Sequence, residues 1–148
     1  MISKKTKYAL NALVYLAYHK DEGAIQIHDI AEQGNIPQKF LEAILLDLRK
    51  AGILSSKRGR GGGYYLLHAP AEINLADIIR HFEGALAWLP CVAHKYYEPC
   101  SECKDEATCG IRDVFRQLRE ETVKLLKGTT LQDVMDREKA LTVALKKR

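Results

Sequence analysis

The chain lacks any run of roughly 18 consecutive apolar residues, the length a bilayer-crossing helix requires, so a membrane span is excluded and a membrane is not an expected partner. Low-complexity linkers and internal repeats are missing too. With 47% apolar and 28% charged residues, the composition is that of a globular domain and not of a disordered or collagenous chain. No Ser/His/Asp arrangement with a plausible framework occurs, and paired acids such as Glu120 and Glu121 read as a solvated helix face. The chain is therefore not expected to be an enzyme. A secretory leader is not expected either: in MISKKTKYALNALVYLAYHK, Asn11 interrupts the apolar run, and HKDEG follows in place of a small-residue cleavage site. A buried first helix and a cytoplasmic location are expected. Cysteine is scarce and confined, with all four residues lying between positions 91 and 109.

What is present suits one ordinary domain of 148 residues. The net charge is only +4, but residues 1–60 hold ten Lys or Arg against six Asp or Glu, whereas residues 61–148 hold thirteen of each. The whole positive excess thus belongs to the first part, as on a face that meets a polyanion.

Periodicity supplies the organisation. Residues 3–19 fit a helix apolar on most sides, and a short helix around Ile27–Gln33 follows Gly23. Gly34 and Asn35 make a turn. Pro37 opens a helix to Ala51 with Phe40, Leu41, Ile44, Leu45 and Leu48 as its apolar stripe, closed by Gly52. ILSSKR, a glycine-rich turn and YYLLH then read as a β-hairpin. Another helix begins near Asn74 and ends at Gly84. From Gly110, Ile111, Val114, Phe115, Leu118, Thr122, Leu125 and Leu126 form a stripe about five turns long. Thr130 and Asp133 resemble a capping box opening a last short helix, with ALKKR as a frayed tail.

Three helices followed by a hairpin define the expected fold class: mainly α with a small β-hairpin wing (α+β), a winged helix-turn-helix domain plus a long helix. In that geometry the helix after the turn enters the major groove. Its exposed first residues are Gln38, Lys39 and Glu42, suited to adenine, to guanine or phosphate, and to cytosine N4 respectively.

The stretch KRGRGGGYYLLHAP can be weighed against other glycine-rich loops. A phosphate loop needs Lys followed by Ser or Thr after the last glycine, but Tyr64 follows Gly63. A dinucleotide fingerprint needs a further glycine at position 64 and a helix after the loop. A hairpin tip fits instead, with Lys57, Arg58, Arg60 and the backbone at Gly61 directed to double-stranded DNA.

The segment IHDIAEQGNIPQKFLEAILLDLRKAGILSSKRGRGGGYYL, above all FLEAIL, LRKAGIL and SSKRGRGGGYYL, resembles the signature of the IscR/NsrR/CymR (Rrf-two) family of bacterial winged-helix repressors. The likeness extends over nearly the whole chain. It implies a homodimer, paired through the long helix, on a pseudo-palindromic operator. An apolar face of five turns, too long for one small domain to cover, points the same way. The division expected is residues 1–84 as the winged domain, 85–109 as a cysteine-rich sensor loop, and 110–148 as dimerisation helix and tail.

In CVAHKYYEPCSECKDEATCGIRD, Cys91, Cys100, Cys103 and Cys109 are spaced C-x8-C-x2-C-x5-C among charged residues. Such company suits metal ligands or reactive thiols more than buried structural cysteines. Similarity to IscR and NsrR implies an iron–sulfur cluster, with Cys91, Cys103 and Cys109 matching the family's three cysteines. The family's fourth ligand has no counterpart: Arg112 stands at the IscR-type histidine and Lys7 at the NsrR-type aspartate. Cys100 is the candidate to complete the set, with His94 as a weaker substitute. Four thiolates suit either a 2Fe–2S or a 4Fe–4S cluster; zinc and a thiol redox switch stay open as alternatives, as does a module whose wing contacts an acidic protein.

Overall fold

Helix α1 (Lys4–Tyr18) is the axis of the molecule in the computed structural model, which describes Met1–Arg148 throughout. Around it pack α2 (Ile27–Gly34), α3 (Gln38–Lys50), α4 (Leu75–Glu83) and α6 (Leu131–Lys146), while α5 (Gly110–Lys127) lies against α4. Ala9, Ala12, Leu13, Leu16 and Ala17 of α1 are all buried; their small and branched side chains let neighbouring helices approach on several sides. Leu41, Ile44, Leu45 and Leu48 of α3 and Ile30 of α2 close the same core.

Asn35, in left-handed backbone at φ 50°, ends α2, and its amide donates to Ala31 and Glu32 carbonyls. Gly34 is the last residue of α2, so the turn begins one residue later than expected. Strand β1 (Leu54–Lys57) pairs antiparallel with β2 (Gly63–Leu66), Leu54 opposite Leu66 and Lys57 opposite Gly63. Short 3-10 turns at Pro70–Glu72, Pro90–Val92 and Glu106–Thr108 punctuate the connections. The architecture is the expected one, helical with a single hairpin wing.

Two local expectations change. Phe40 is 65% exposed, because it lies at the edge of the α3 stripe beside Lys4, Lys5 and Tyr8 of α1, while its neighbour Leu41 turns into the core. The C-terminal segment is helical to Lys146 instead of frayed, and α6 spans 16 residues. Thr130 and Asp133 form the anticipated capping box, the Asp133 carboxylate accepting from the Thr130 amide at 2.8 Å. Leu131 and Met135, one turn apart, return to the core beside α1, and Leu131 N donates to Ile73 O at 2.9 Å. Within residues 110–148, α5 lies against α4 and the start of α6 packs beside α1.

Glu83, the last residue of α4, fastens that helix to the start of α1. Its carboxylate accepts from Ser3 N (2.7 Å), from Ser3 Oγ (2.6 Å) and from the Thr6 hydroxyl. The hydrogen bonds from Ser3, then from Thr6, hold the carboxyl below its ordinary value. A depressed carboxyl adds stability above its unfolded-state value and loses it as pH falls through the folded one. Glu83→Gln is expected to lower unfolding stability by about 1 kcal/mol near neutrality. The gap to wild type should close in acid, below the ordinary glutamate value of about 4.3. Denaturant titrations across pH check this, and a gap independent of pH would contradict it.

Candidate nucleic-acid interface and cysteine loop

Gln38, Lys39 and Glu42 occupy the first turns of α3 and are exposed, as are Lys57, Arg58, Arg60 and Gly61 of the wing. None of the five charged side chains in this set takes part in an ion pair, so their charges are available to an outside partner. The wing is tied to α3 by Arg49 Nη1, which donates to Ser56 Oγ at 2.9 Å. It is tied to the strand-like residue ahead of α2 by a two-way exchange: Ile25 N donates to Tyr64 O (2.9 Å) and Tyr64 N to Ile25 O (2.8 Å). Gly61 sits at the tip with φ 68° and open space around it, so its backbone can approach another surface closely. Gly63, at φ 142°, lies where any Cβ would run into the Ile25 carbonyl.

The cysteines fall into two environments. Cys91 is buried in the 3-10 turn Pro90–Val92, and its carbonyl accepts from Arg112 Nε at 3.2 Å. Cys100, Cys103 and Cys109 lie together on the half-exposed loop, with the Cys103 N–H donating to Cys100 O at 3.3 Å. Cys109 caps α5, its sulfur accepting from Arg112 N at 3.4 Å. That amide, aided by the Cys103 thiol and the Arg112 charge, draws the Cys109 thiol below its ordinary value, whereas desolvation and its neighbour Cys109 push Cys103 up.

Thiolate donors suit a soft metal or an iron–sulfur cluster. The geometry brings three of the four close, without any three His, Cys, Asp or Glu groups converging as a preformed metal cage. His94 is directed elsewhere, since its Nε2 accepts from Arg119 Nη1 at 3.1 Å. Arg112, at the expected histidine position, is a strut that joins Cys91, the Cys109 cap and Glu106, the last at 3.7 Å.

The stripe anticipated on α5 splits in two. Thr122 and Leu126 turn toward Ile79 of α4 and Trp88 around a shared cavity, and Phe115 is half-buried. Ile111, Val114, Leu118 and Leu125 face outward, Ile111 at 68% and Leu125 at 62% exposure. Arg119 is the one buried residue of α5, which the pattern of apolar residues gave no means to anticipate.

A helix-turn-helix with an exposed second helix, followed by a basic glycine-tipped wing, defines a DNA-binding transcriptional regulator. The sequence model for "Rrf2: Iron-dependent Transcriptional regulator" matches residues 2–137, and the chain belongs to the Rrf2 family. It is 45% identical over 91% of its length to an Rrf2-like HTH-type transcriptional regulator of Rhodobacter capsulatus, covering 92% of that protein. Among solved structures it is similar to CymR, the global cysteine regulator of B. subtilis: TM-score 0.78, 31% identity, 93% of this chain and 97% of that one. It is likewise similar to T. potens IscR, with a TM-score of 0.75, 30% identity, and coverage of 93% and 88%. These relatives are regulators and not enzymes, and no helix here is long and apolar enough to cross a membrane.

Gly63→Ala is expected to detach the wing from Ile25 while leaving the helical core folded. Amide exchange checks it: protection at Tyr64 and Ile25 should fall by an order of magnitude or more, with Leu45 and Leu48 unaffected. Unchanged protection at Tyr64 would contradict the close approach.

Proposed function

We propose that this protein is a homodimeric, operator-binding repressor whose DNA affinity is governed by the cysteine loop, holding an iron–sulfur cluster on Cys91, Cys100, Cys103 and Cys109. The observation that carries the reading is α5 itself: it begins on the Cys109 sulfur and presents an uncovered apolar face along its length. A second copy of the same helix supplies a matching apolar surface under twofold symmetry. Pairing of this kind would set two α3 helices about 34 Å apart, one turn of duplex, on a pseudo-palindromic site. Gln38, Lys39 and Glu42 then read base edges, while Lys57, Arg58, Arg60 and the Gly61 backbone hold phosphates. Its place of action is with the chromosome, in the cytoplasm.

A bound cluster supplies redox-active, breakable thiolate bonds. The protein's own part is the cap: when Cys109 Sγ is engaged elsewhere, the Arg112 amide loses its acceptor and the first turn of α5 is altered. Such a change shifts operator affinity through the dimer geometry, on a scale of about 1–3 kcal/mol. The interaction between Cys103 and Cys109 favours a second reading, in which these two thiols are the switch without a cluster. A zinc ion would draw on the same four sulfurs.

Arg58→Ala or Arg60→Ala is expected to weaken binding to all duplexes and to reduce the salt slope by about one for each phosphate left without its cation. Glu42→Ala is expected to relax base preference at one position with the salt slope unchanged. Fluorescence anisotropy at several salt concentrations checks both, and salt-independent binding would point to an acidic protein partner instead. For the loop, protein purified without oxygen should contain iron and acid-labile sulfide and absorb in the visible, and Cys103→Ser should abolish the band. Absence of iron and sulfide, with a Cys103–Cys109 disulfide forming on oxidation, would establish the second reading; zinc found without sulfide would establish the third.

A further inference from the structure

Between the end of α4, the turn at His94–Tyr96 and the middle of α5 lies a cavity of about 430 Å³ that no part of the proposed function uses. Arg80, His81, His94, Lys95, Tyr96 and Arg119 surround it, and no Asp or Glu lines it. Arg119 is only 8% exposed and belongs to none of the ion pairs of the structure. Its one protein partner is His94 Nε2, at 3.1 Å. A guanidinium can only donate, so His94 accepts and is neutral at that nitrogen. Arg119 lines the cavity, and its remaining guanidinium donors have no partner in the protein. A buried cation without a carboxylate is costly unless a counter-charge arrives from outside. Arg80 has only an exposed, 3.8 Å partner in Asp77, and Lys95 meets nothing but the Tyr96 ring, 5.1 Å away. Tyr96 holds left-handed backbone at φ 63°, uncommon for an aromatic residue, and it lines the cavity together with Gly84.

We infer that this cavity is a binding site for a small organic anion bearing carboxylate or phosphate groups, with Arg119 as its anchoring cation. The planar guanidinium offers two parallel N–H donors to such a group, and Lys95 and Arg80 add charge at the rim. The volume is that of a metabolite, larger than inorganic phosphate alone would fill. Because its walls come from α4, the cysteine loop and α5, an occupant would fix how the winged unit sits on α5. That regulatory consequence rests on the function proposed above, whereas anion binding does not, and a titration without DNA separates the two.

The test is thermal unfolding and calorimetric titration of the full-length protein with citrate and with inorganic phosphate, against sodium chloride at matched ionic strength. A bound anion raises the midpoint in a saturable manner. Citrate, phosphate or both are expected to do so, with affinity at least tenfold weaker in Arg119→Gln and several-fold weaker in Lys95→Ala, whose exposed side chain is dispensable for folding. If Arg119→Gln does not fold, Lys95→Ala and Arg80→Gln decide. No saturable response beyond chloride would overturn the proposal, as would equal responses in wild type and variants. A dimer structure in which a carboxylate of the second copy occupies Arg119 would overturn it too.

Discussion

Ile111, Val114, Leu118 and Leu125 stand in water along one flank of an apolar stripe whose other flank is turned to α4, and the proposed function depends on that exposure. Single apolar residues on a surface need no explanation, but a row of them at helical spacing does. Covering a side chain of this size is worth about 1.5–3 kcal/mol when complete. Because α5 runs out from the cysteine loop and ends at the turn that returns α6 to the core, whatever covers this face also positions the winged unit. A regulator needs such mechanical continuity if chemistry at one place is to alter grip at another.

Continuity runs through few groups. Glu83 joins the end of α4 to the start of α1, and α1 in turn packs against α3. Arg49 joins α3 to the wing, and Ile25 holds the wing to the entry of α2. In the cysteine loop, Arg112 gathers the Cys91 carbonyl, Glu106 and, through its own amide, the Cys109 sulfur. Arg112, at the position where the family resemblance led a ligating histidine to be expected, is thus a structural tie. Arg119 and His94 provide a second tie between loop and helix, one turn or more further along α5.

The helices were legible because their apolar residues recur every three or four positions, and because Ser3, Asn74 and Thr130 are residue types that cap helices. The hairpin was legible from its glycines. Phe40 misled because it lies at the edge of its stripe, and periodicity does not say how far round the helix the core reaches. The last helix was expected to be short and ALKKR to be a frayed tail, yet a helix with a capping box propagates through such residues without burying them. The α5 stripe was visible as one band, but its division between a side turned to α4 and an outward side depends on where α4 lies, which no local pattern encodes. Arg119 left no sequence signal, since a lone arginine on a charged helix looks solvated until the loop at His94 folds over it.

The most direct test of the central claim is native mass spectrometry of the wild-type chain and of Leu118→Glu, alone and on a duplex of about two helical turns. Wild type is expected as paired chains, with two chains on each duplex, and the variant as single chains. Wild-type protein that remains single and binds DNA one chain at a time would contradict that claim.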